Sequence, residues 1–326
     1  MVDLAGVLPI SEHDDITIYL LKENLMSEFE GKVAVITGAG GGLGKAHALE
    51  FGRRGARVVV NDLGGSVDGS GTGDAADQVV EQIKSEGGEA IANRASVADP
   101  EGARSIITDA VDAYGTVDFV VNNAGILRDK TFRKMTLGEW DLVMNVHING
   151  TAYVTYAAWP IMYEKNYGRI VFTSSGSGIW GNYGQSNYGA AKMAMLGFMN
   201  VLALEGASHN IKVNVLAPGA ATRMTATVPG RQKVDLENPP PERAPQLVTP
   251  AVLFMCSDNA PTGKVFQATG GNFSMAAMYQ NPGAALGIDA TYESFCDNLD
   301  QITDMSNLED AESRRERIRR EPPKRG

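Results

Sequence analysis

The chain has 326 residues, 43% hydrophobic and 21% charged, which supplies a large core and excludes wholesale disorder. Its formal charge of −10 argues against a general nucleic-acid binder, whose domain would be basic. No apolar run approaches the ~18–20 residues of a membrane span. The two cysteines, Cys256 and Cys296, form no CxxC pair, which disfavours a disulfide scaffold or zinc ribbon; a reducing, cytoplasmic setting is the expectation.

Residues 1–30 read as an N-terminal extension. No lysine or arginine precedes Lys22, so the charged start of a secretory signal is missing, and Met26 offers a second start point. Short apolar runs then alternate with helical patterns. Seven strands are expected at Val33–Thr37, Arg57–Asp62, Ala90–Asn93, Val117–Val121, Arg169–Thr173, Lys212–Leu216 and Val265–Ala268. Several are runs of valine and isoleucine, as in strands buried on both faces. The gaps hold helices at Leu43–Arg54, Asp74–Ser85, Pro100–Tyr114, Leu137–Lys165 and Asn187–His209. Thr249-Pro250 reads as an N-cap followed by proline, opening one more helix. This alternation predicts an α/β fold, a doubly wound seven-stranded parallel sheet with helices on both faces and ligands at the strands' carboxyl ends. The main domain is expected over residues 31–272. Within it, residues 220–248 hold five prolines and no clear period, and suit a lid over substrate. Residues 273–326 read as a C-terminal extension, whose last fifteen residues carry seven basic and three acidic side chains. That tail is a solvated segment or a contact for an anionic ligand or partner. The terminal Lys-Arg-Gly is no peroxisomal address.

The first strand runs into Thr37-Gly38-Ala39-Gly40-Gly41-Gly42-Leu43-Gly44 and a helix. Glycines allow a tight turn and let backbone approach a pyrophosphate, while the helix offers free N–H groups and a positive dipole end. No Gly-Lys-Ser/Thr follows, which disfavours a P-loop. Asp62 closes the second strand about twenty residues on. Its carboxylate suits the hydroxyls of an adenine ribose and repels a 2′-phosphate, favouring NAD over NADP. A turn-forming aspartate is the plainer alternative.

Tyr188 and Lys192 form Tyr-x-x-x-Lys, which shares one helix face. An ammonium beside a phenol favours phenolate and lowers its pKa, giving a usable proton donor or acceptor. Ser175, at a strand end thirteen residues earlier, can hold a substrate oxygen beside that phenol or merely satisfy local backbone. The parts are weak singly and specific together. The glycine loop, Asn122-Asn123-Ala124-Gly125, Ser175, Tyr188-x-x-x-Lys192 and Pro218-Gly219 stand in this order.

The ordered set resembles the short-chain dehydrogenase/reductase family over roughly residues 30–272. Within it, Val58–Gly65, Val120–Asp129 and Ser174–Lys192 are similar to the branch of (3R)-hydroxyacyl-CoA dehydrogenase domains in peroxisomal multifunctional enzymes. The resemblance implies Tyr188 as proton donor or acceptor, Lys192 on the ribose and phenol, and Ser175 on the substrate oxygen. It implies a cofactor site of Gly38, Gly42, Leu43, Gly44, Asp62, Ser96, Val97, Asn123, Ala124, Gly125, Tyr188, Lys192, Pro218, Gly219, Ala220 and Thr222. Ser96-Val97 stand where the wider family has Asp-Val. His147 stands where the family has a catalytic asparagine. It holds a water that relays protons to Lys192, or is a satisfied helix histidine while Asn145 or Asn149 takes that role. No metal site is expected, because His13, His47 and His209 have no ligand spacing.

The resemblance implies oxidation of a secondary alcohol, with NAD as cofactor and a (3R)-3-hydroxyacyl-CoA, an acyl-CoA with a steroid-bearing chain, or a free 17β-hydroxysteroid as substrate. Another short-chain alcohol dehydrogenase is an alternative, and a non-catalytic nucleotide-sensing protein on the same fold is one of another class. The family also implies a homodimer or homotetramer packed through the helices at Leu137–Lys165 and Asn187–His209. No nucleic-acid partner and no membrane span are expected.

Overall fold

The computed structural model describes residues 28–65, 71, 73–220 and 240–310. The earlier part of the N-terminal extension, residues 221–239 of the expected lid with Thr222, and the basic tail lie outside the described residues. Residues up to Ser274 form one compact unit and those from Met275 a second.

Strands β1 (Val33–Thr37), β2 (Arg57–Asn61), β3 (Glu89–Asn93), β4 (Phe119–Asn122), β5 (Gly168–Thr173), β6 (Ile211–Gly219), β7 (Val265–Thr269) and β8 (Asn272–Ala276) form a sheet in the order β3-β2-β1-β4-β5-β6-β7-β8. The pairings through β7 are parallel. The order reverses between β1 and β4, and the carboxyl ends there carry Thr37 and Asn122. All residues of β1, β4 and β5 are buried, which explains their unbroken apolar runs. The expected seven strands are therefore joined by an eighth, β8 (Asn272–Ala276). Its residues are mostly exposed, so no buried apolar run announces it.

The crossover helices are α1 (Gly42–Arg53), α2 (Ala75–Ser85), α3 (Pro100–Tyr114), α4 (Leu137–Met144), α5 (Gly150–Glu164), α6 (Gly176–Trp180), α7 (Ser186–Glu205) and α8 (Thr249–Cys256). Local chemistry sets their ends. Asp99 accepts the Gly102 N–H ahead of Pro100 to start α3, and Gly115 ends it at φ 80°. Thr136 and Glu139 form a capping box on α4. The long helix expected over Leu137–Lys165 is interrupted by a π-helical turn, Asn145–Asn149, which the 3.6-residue pattern does not foretell. At α8 the expected cap is corrected. Val248 is the N-cap, and the buried Thr249 hydroxyl instead meets Nδ1 of the buried His47 on α1 at 2.9 Å.

One face of the sheet packs against α1, α2 and α8 through Phe51, Val80, Ile83, Val252 and Met255. Phe29, ahead of β1, is buried there edge-on to Phe51 and Phe119 at 5.5 and 5.8 Å. Burying each such side chain contributes about 1.5–3 kcal/mol relative to exposure. Helices α3 and α5 pack on each other and on the neighbouring strands, and α7 packs on β5 and β6. In the second unit, β9 (Tyr279–Gln280) pairs antiparallel with β10 (Glu309–Asp310), and α9 (Tyr292–Asp297) and α10 (Leu299–Thr303) fall between them in sequence. Among the described residues no helix is long and apolar enough to cross a membrane.

Candidate active site

The glycine loop joins β1 to α1 where only glycine fits. Gly38 has φ 64°, and a Cβ there would lie 2.7 Å from the Ala124 Cα. A Cβ on Gly44 would lie 2.2 Å from the Gly38 carbonyl oxygen, so α1 can approach the turn only with glycine at this position. Gly41 caps α1 without a side-chain bond, and the first turn holds no acid, which leaves the helix's N–H groups and dipole for an anion.

Asp62 ties this loop together. Its Oδ2 accepts the Gly40 N–H at 2.8 Å and its Oδ1 accepts the Gly64 N–H at 2.7 Å. Each oxygen keeps a lone pair for a further donor. Asn123 braces the other side. Its amide donates to the carbonyls of Thr37 and Gly38, both at 3.0 Å, while the Thr37 hydroxyl accepts the Asn123 and Ala124 N–H groups. Asn123 thus fastens β1 to the end of β4. Val97 is buried and lies against Gly150, where an added Cβ would be 2.9 Å from its Cγ2. The neighbouring Ser96 hydroxyl accepts the Ala98 N–H. Pro218 and Gly219 end β6 beside Ala268 and Thr269, and Ala220 is buried in the core. This cradle of glycine turns, an uncapped helix start and a carboxylate at the end of β2 fits a dinucleotide.

The second set gathers at the ends of β4 and β5. Ser175 caps α6, its hydroxyl accepting the Ser177 N–H at 3.2 Å. Tyr188 lies in the first turn of α7, held from two sides. The Asn187 side-chain oxygen takes the Tyr188 N–H at 2.7 Å, and the Asn187 amide donates to the carbonyls of Arg128 and Glu139. Lys192, one turn on, is buried, with Nζ donating to the Thr173 carbonyl at 2.6 Å and lying 5.6 Å from the Tyr188 ring centre.

The electrostatics correct the sequence reading here. Burial pushes the Tyr188 phenol up to about 12; the Ser175 hydroxyl acts against this and the Asp129 charge with it. Burial also lowers the Lys192 ammonium to about 7. Desolvation of both charged forms outweighs the attraction expected between ammonium and phenolate. The site as it stands holds a protonated phenol, which is set to donate.

His147 sits in the π-helical turn, fully buried, its ring 5.2 Å from and nearly perpendicular to the Tyr188 ring. Its Nε2 lies 2.9 Å from the Ile126 carbonyl oxygen and 3.2 Å from the Ile126 N–H, so it donates to the first in one tautomer and accepts from the second in the other. Nδ1 is buried and without a hydrogen-bond partner among the described residues. Burial, followed by the Lys192 charge, keeps the ring neutral. Gly125 exists to admit it: a Cβ there would lie 2.3 Å from the His147 Cε1. Asn145 and Asn149, the alternatives on the same turn, instead bond each other at 3.1 Å.

Sequence reasoning missed one group. Asp129 is half-buried, and its Oδ2 accepts from the Gln185 amide at 2.6 Å. The two lie 56 residues apart, and no local pattern links them.

The sequence profile of the short chain dehydrogenase family matches residues 32–233. The chain belongs to the short-chain dehydrogenase family. It is an oxidoreductase, and this family typically uses NAD or NADP. Its relatives include peroxisomal multifunctional enzyme A of Dictyostelium discoideum, 48% identical over 86% of this chain and 62% of that protein. A protein of Mycobacterium tuberculosis named as a short-chain type dehydrogenase/reductase is 45% identical over 86% of this chain and 97% of its own length. The solved structure of full-length peroxisomal multifunctional enzyme type 2 from Drosophila melanogaster superposes with a TM-score of 0.70, at 38% identity, over 86% of this chain and 46% of that one. The chain therefore spans between 30% and 62% of the length of the multifunctional relatives, and nearly all of the mycobacterial one.

Proposed function

We propose that this short-chain dehydrogenase interconverts a (3R)-3-hydroxyacyl-CoA thioester and its 3-ketoacyl-CoA, with NAD as cofactor. The carrying observation is the meeting of the partly exposed Ser175 with the buried Tyr188 and Lys192 beside a glycine cradle closed by Asp62. The cradle would hold the pyrophosphate on the Gly38–Gly44 turn and the adenine ribose on Asp62, whose charge opposes a 2′-phosphate. NAD, when bound, accepts or returns the hydride. Ser175 holds the substrate oxygen and Tyr188 moves its proton. Reduction needs Tyr188 protonated, as burial leaves it. Oxidation needs phenolate, which Lys192 supports only while it carries its own proton. Lys192 bonds the Thr173 carbonyl, and the unpartnered His147 Nδ1, in the tautomer with the proton on Nε2, is the acceptor for the water of a relay to Lys192.

The acyl-CoA reading rests on the resemblance of Val58–Gly65, Val120–Asp129 and Ser174–Lys192 to (3R)-hydroxyacyl-CoA dehydrogenase domains, and the multifunctional relatives are in keeping with it; a ring-bearing acyl chain or a 17β-hydroxysteroid is the variant a substrate panel separates. The chiral carbon must aim its hydrogen at the nicotinamide while its oxygen meets Tyr188, so one enantiomer alone aligns. The test is initial rates of NAD reduction with (3R)- and (3S)-3-hydroxyacyl-CoA and with a 17β-hydroxysteroid. Turnover of the (3R) form at least tenfold above the others supports the reading, and equal rates or steroid-only activity overturn it.

We further propose self-association through α3, α5 and α7. An open groove of about 970 Å³ between them is lined by Ile107, Val111, Tyr156, Trp159 and Phe198, and Tyr156 is 81% exposed. Sedimentation at micromolar concentration decides between monomer and dimer or tetramer. The peroxisomal names of several relatives stand against the cytoplasmic expectation, and fractionation of the native host's cells decides the compartment.

A further inference from the structure

We infer that Asp129 is a positioning residue for the reaction, acting on Ser175 through Gln185 and Ser177; this rests on the assignment of Ser175 and Tyr188 above. The path is continuous. The Asp129 Oδ2 accepts from the Gln185 amide nitrogen at 2.6 Å. The Gln185 amide oxygen accepts the Ser177 hydroxyl at 2.7 Å and the Asn182 amide at 2.9 Å. The Ser177 N–H then donates to the Ser175 hydroxyl oxygen at 3.2 Å. The segment after β4 is thereby fastened to the whole stretch Ser175–Gln185, and a β-bridge between Lys130 and Gln185 holds the same two strands of chain together.

The side chains are used in a way that favours this role over simple stabilisation. Gln185 is the N-cap of α7, yet its side chain makes no cap bond. Both ends of its amide are committed to the path instead. Asp129 holds one bond to a neutral amide, and its Oδ1 is buried with no hydrogen-bond partner among the described residues. Burial pushes its carboxyl up, with the Gln185 bond acting against. A half-desolvated carboxylate with one oxygen unsatisfied contributes little to folding. What it does contribute is direction: an acceptor that fixes which way the Gln185 amide faces. With the amide reversed, its oxygen would face the Asp129 carboxylate and its nitrogen the Asn182 amide nitrogen, both repulsive, and the Ser177 hydroxyl would have to turn from donor to acceptor, which disturbs the Ser175–Ser177 turn. A displacement on the order of 1 Å at a substrate-positioning group can cost up to about a hundredfold in rate.

The test compares Asp129→Leu, Asp129→Asn, Gln185→Leu and the double variant Asp129→Leu/Gln185→Leu with wild type. Rates are read with (3R)-3-hydroxybutyryl-CoA and NAD, and Tyr188→Phe serves as control. Asp129→Leu should lose at least tenfold in kcat, with NADH affinity and Tm close to wild type. Asp129→Asn keeps an acceptor for Gln185 and should recover most of the loss. The double variant should be no slower than the slower single one, because both break the same path. A kcat for Asp129→Leu within twofold of wild type, or losses that multiply in the double variant, overturns the inference. If Tyr188→Phe itself turns over normally, the assignment of the site falls instead. A crystal structure of Asp129→Leu reads the same path without substrate. Residues 176–185 should shift or show raised mobility, and an unchanged Ser175–Ser177 turn overturns the inference whatever the substrate proves to be.

Discussion

The cradle after β1 and the pocket at the end of β5 do their work with different parts of the chain. The cradle uses backbone: N–H groups, positive φ angles and the missing Cβ of Gly38 and Gly44, with Asp62 as its main side chain. The pocket uses side chains from the N-cap of α6, from α7 and from the π-helical turn, and those of Tyr188, Lys192 and His147 are buried until their ordinary pKa values no longer apply. Backbone recognition needs close approach and tolerates little added volume. Side-chain chemistry needs desolvation and exact partners, and pays for it in stability. The two regions should therefore fail differently when altered.

Gly44→Ala should fail hardest. Its Cβ has no room against the Gly38 carbonyl, so α1 must move off the turn, costing about 1–3 kcal/mol in strain and abolishing measurable NADH binding. Fluorescence titration with NADH checks this, and unchanged affinity would break the contrast on the cradle side. His147→Leu removes the Nδ1 lone pair and should cut kcat at least tenfold, while His147→Asn keeps part of the activity; steady-state kinetics on both variants separates relay from packing. Acid stability comes next. His47 titrates near 3 in the folded chain against an ordinary 6.5, so the unfolded chain binds the extra proton between these values. Stability should fall as pH drops through that window, by up to a few kcal/mol. His47→Asn should flatten the slope seen by urea melts between pH 7 and 4, though not abolish it, because His147 is also buried neutral. Asp62→Ser should have the smallest effect on turnover with NAD. It should mainly raise kcat/KM with NADP, narrowing the wild-type preference.

Which features could be read from the sequence follows the same division. The cradle was legible because a backbone that must approach closely demands glycine, and Gly38, Gly42 and Gly44 stand at fixed spacing between a strand and a helix. Tyr188 and Lys192 were legible because one helical turn joins them. The central parallel strands β1, β2 and β4 were legible as valine- and isoleucine-rich runs, whereas β8, with its exposed residues, has no such signature. The Asp129–Gln185 bond was not legible, since tertiary folding alone brings residues 56 apart into contact. The direction of the Tyr188 shift was misread for a related reason. Spacing reveals the Lys192 neighbour but not the depth of burial, and desolvation is the larger effect.

The most direct test of the separation between cradle and pocket is a single preparation of Tyr188→Phe, assayed for NADH affinity and for turnover. The dissociation constant should stay within about threefold of wild type and kcat should fall at least about a hundredfold, since only the proton-transferring oxygen is removed. Turnover within tenfold of wild type, or a loss of NADH affinity matching the loss of rate, would contradict that separation.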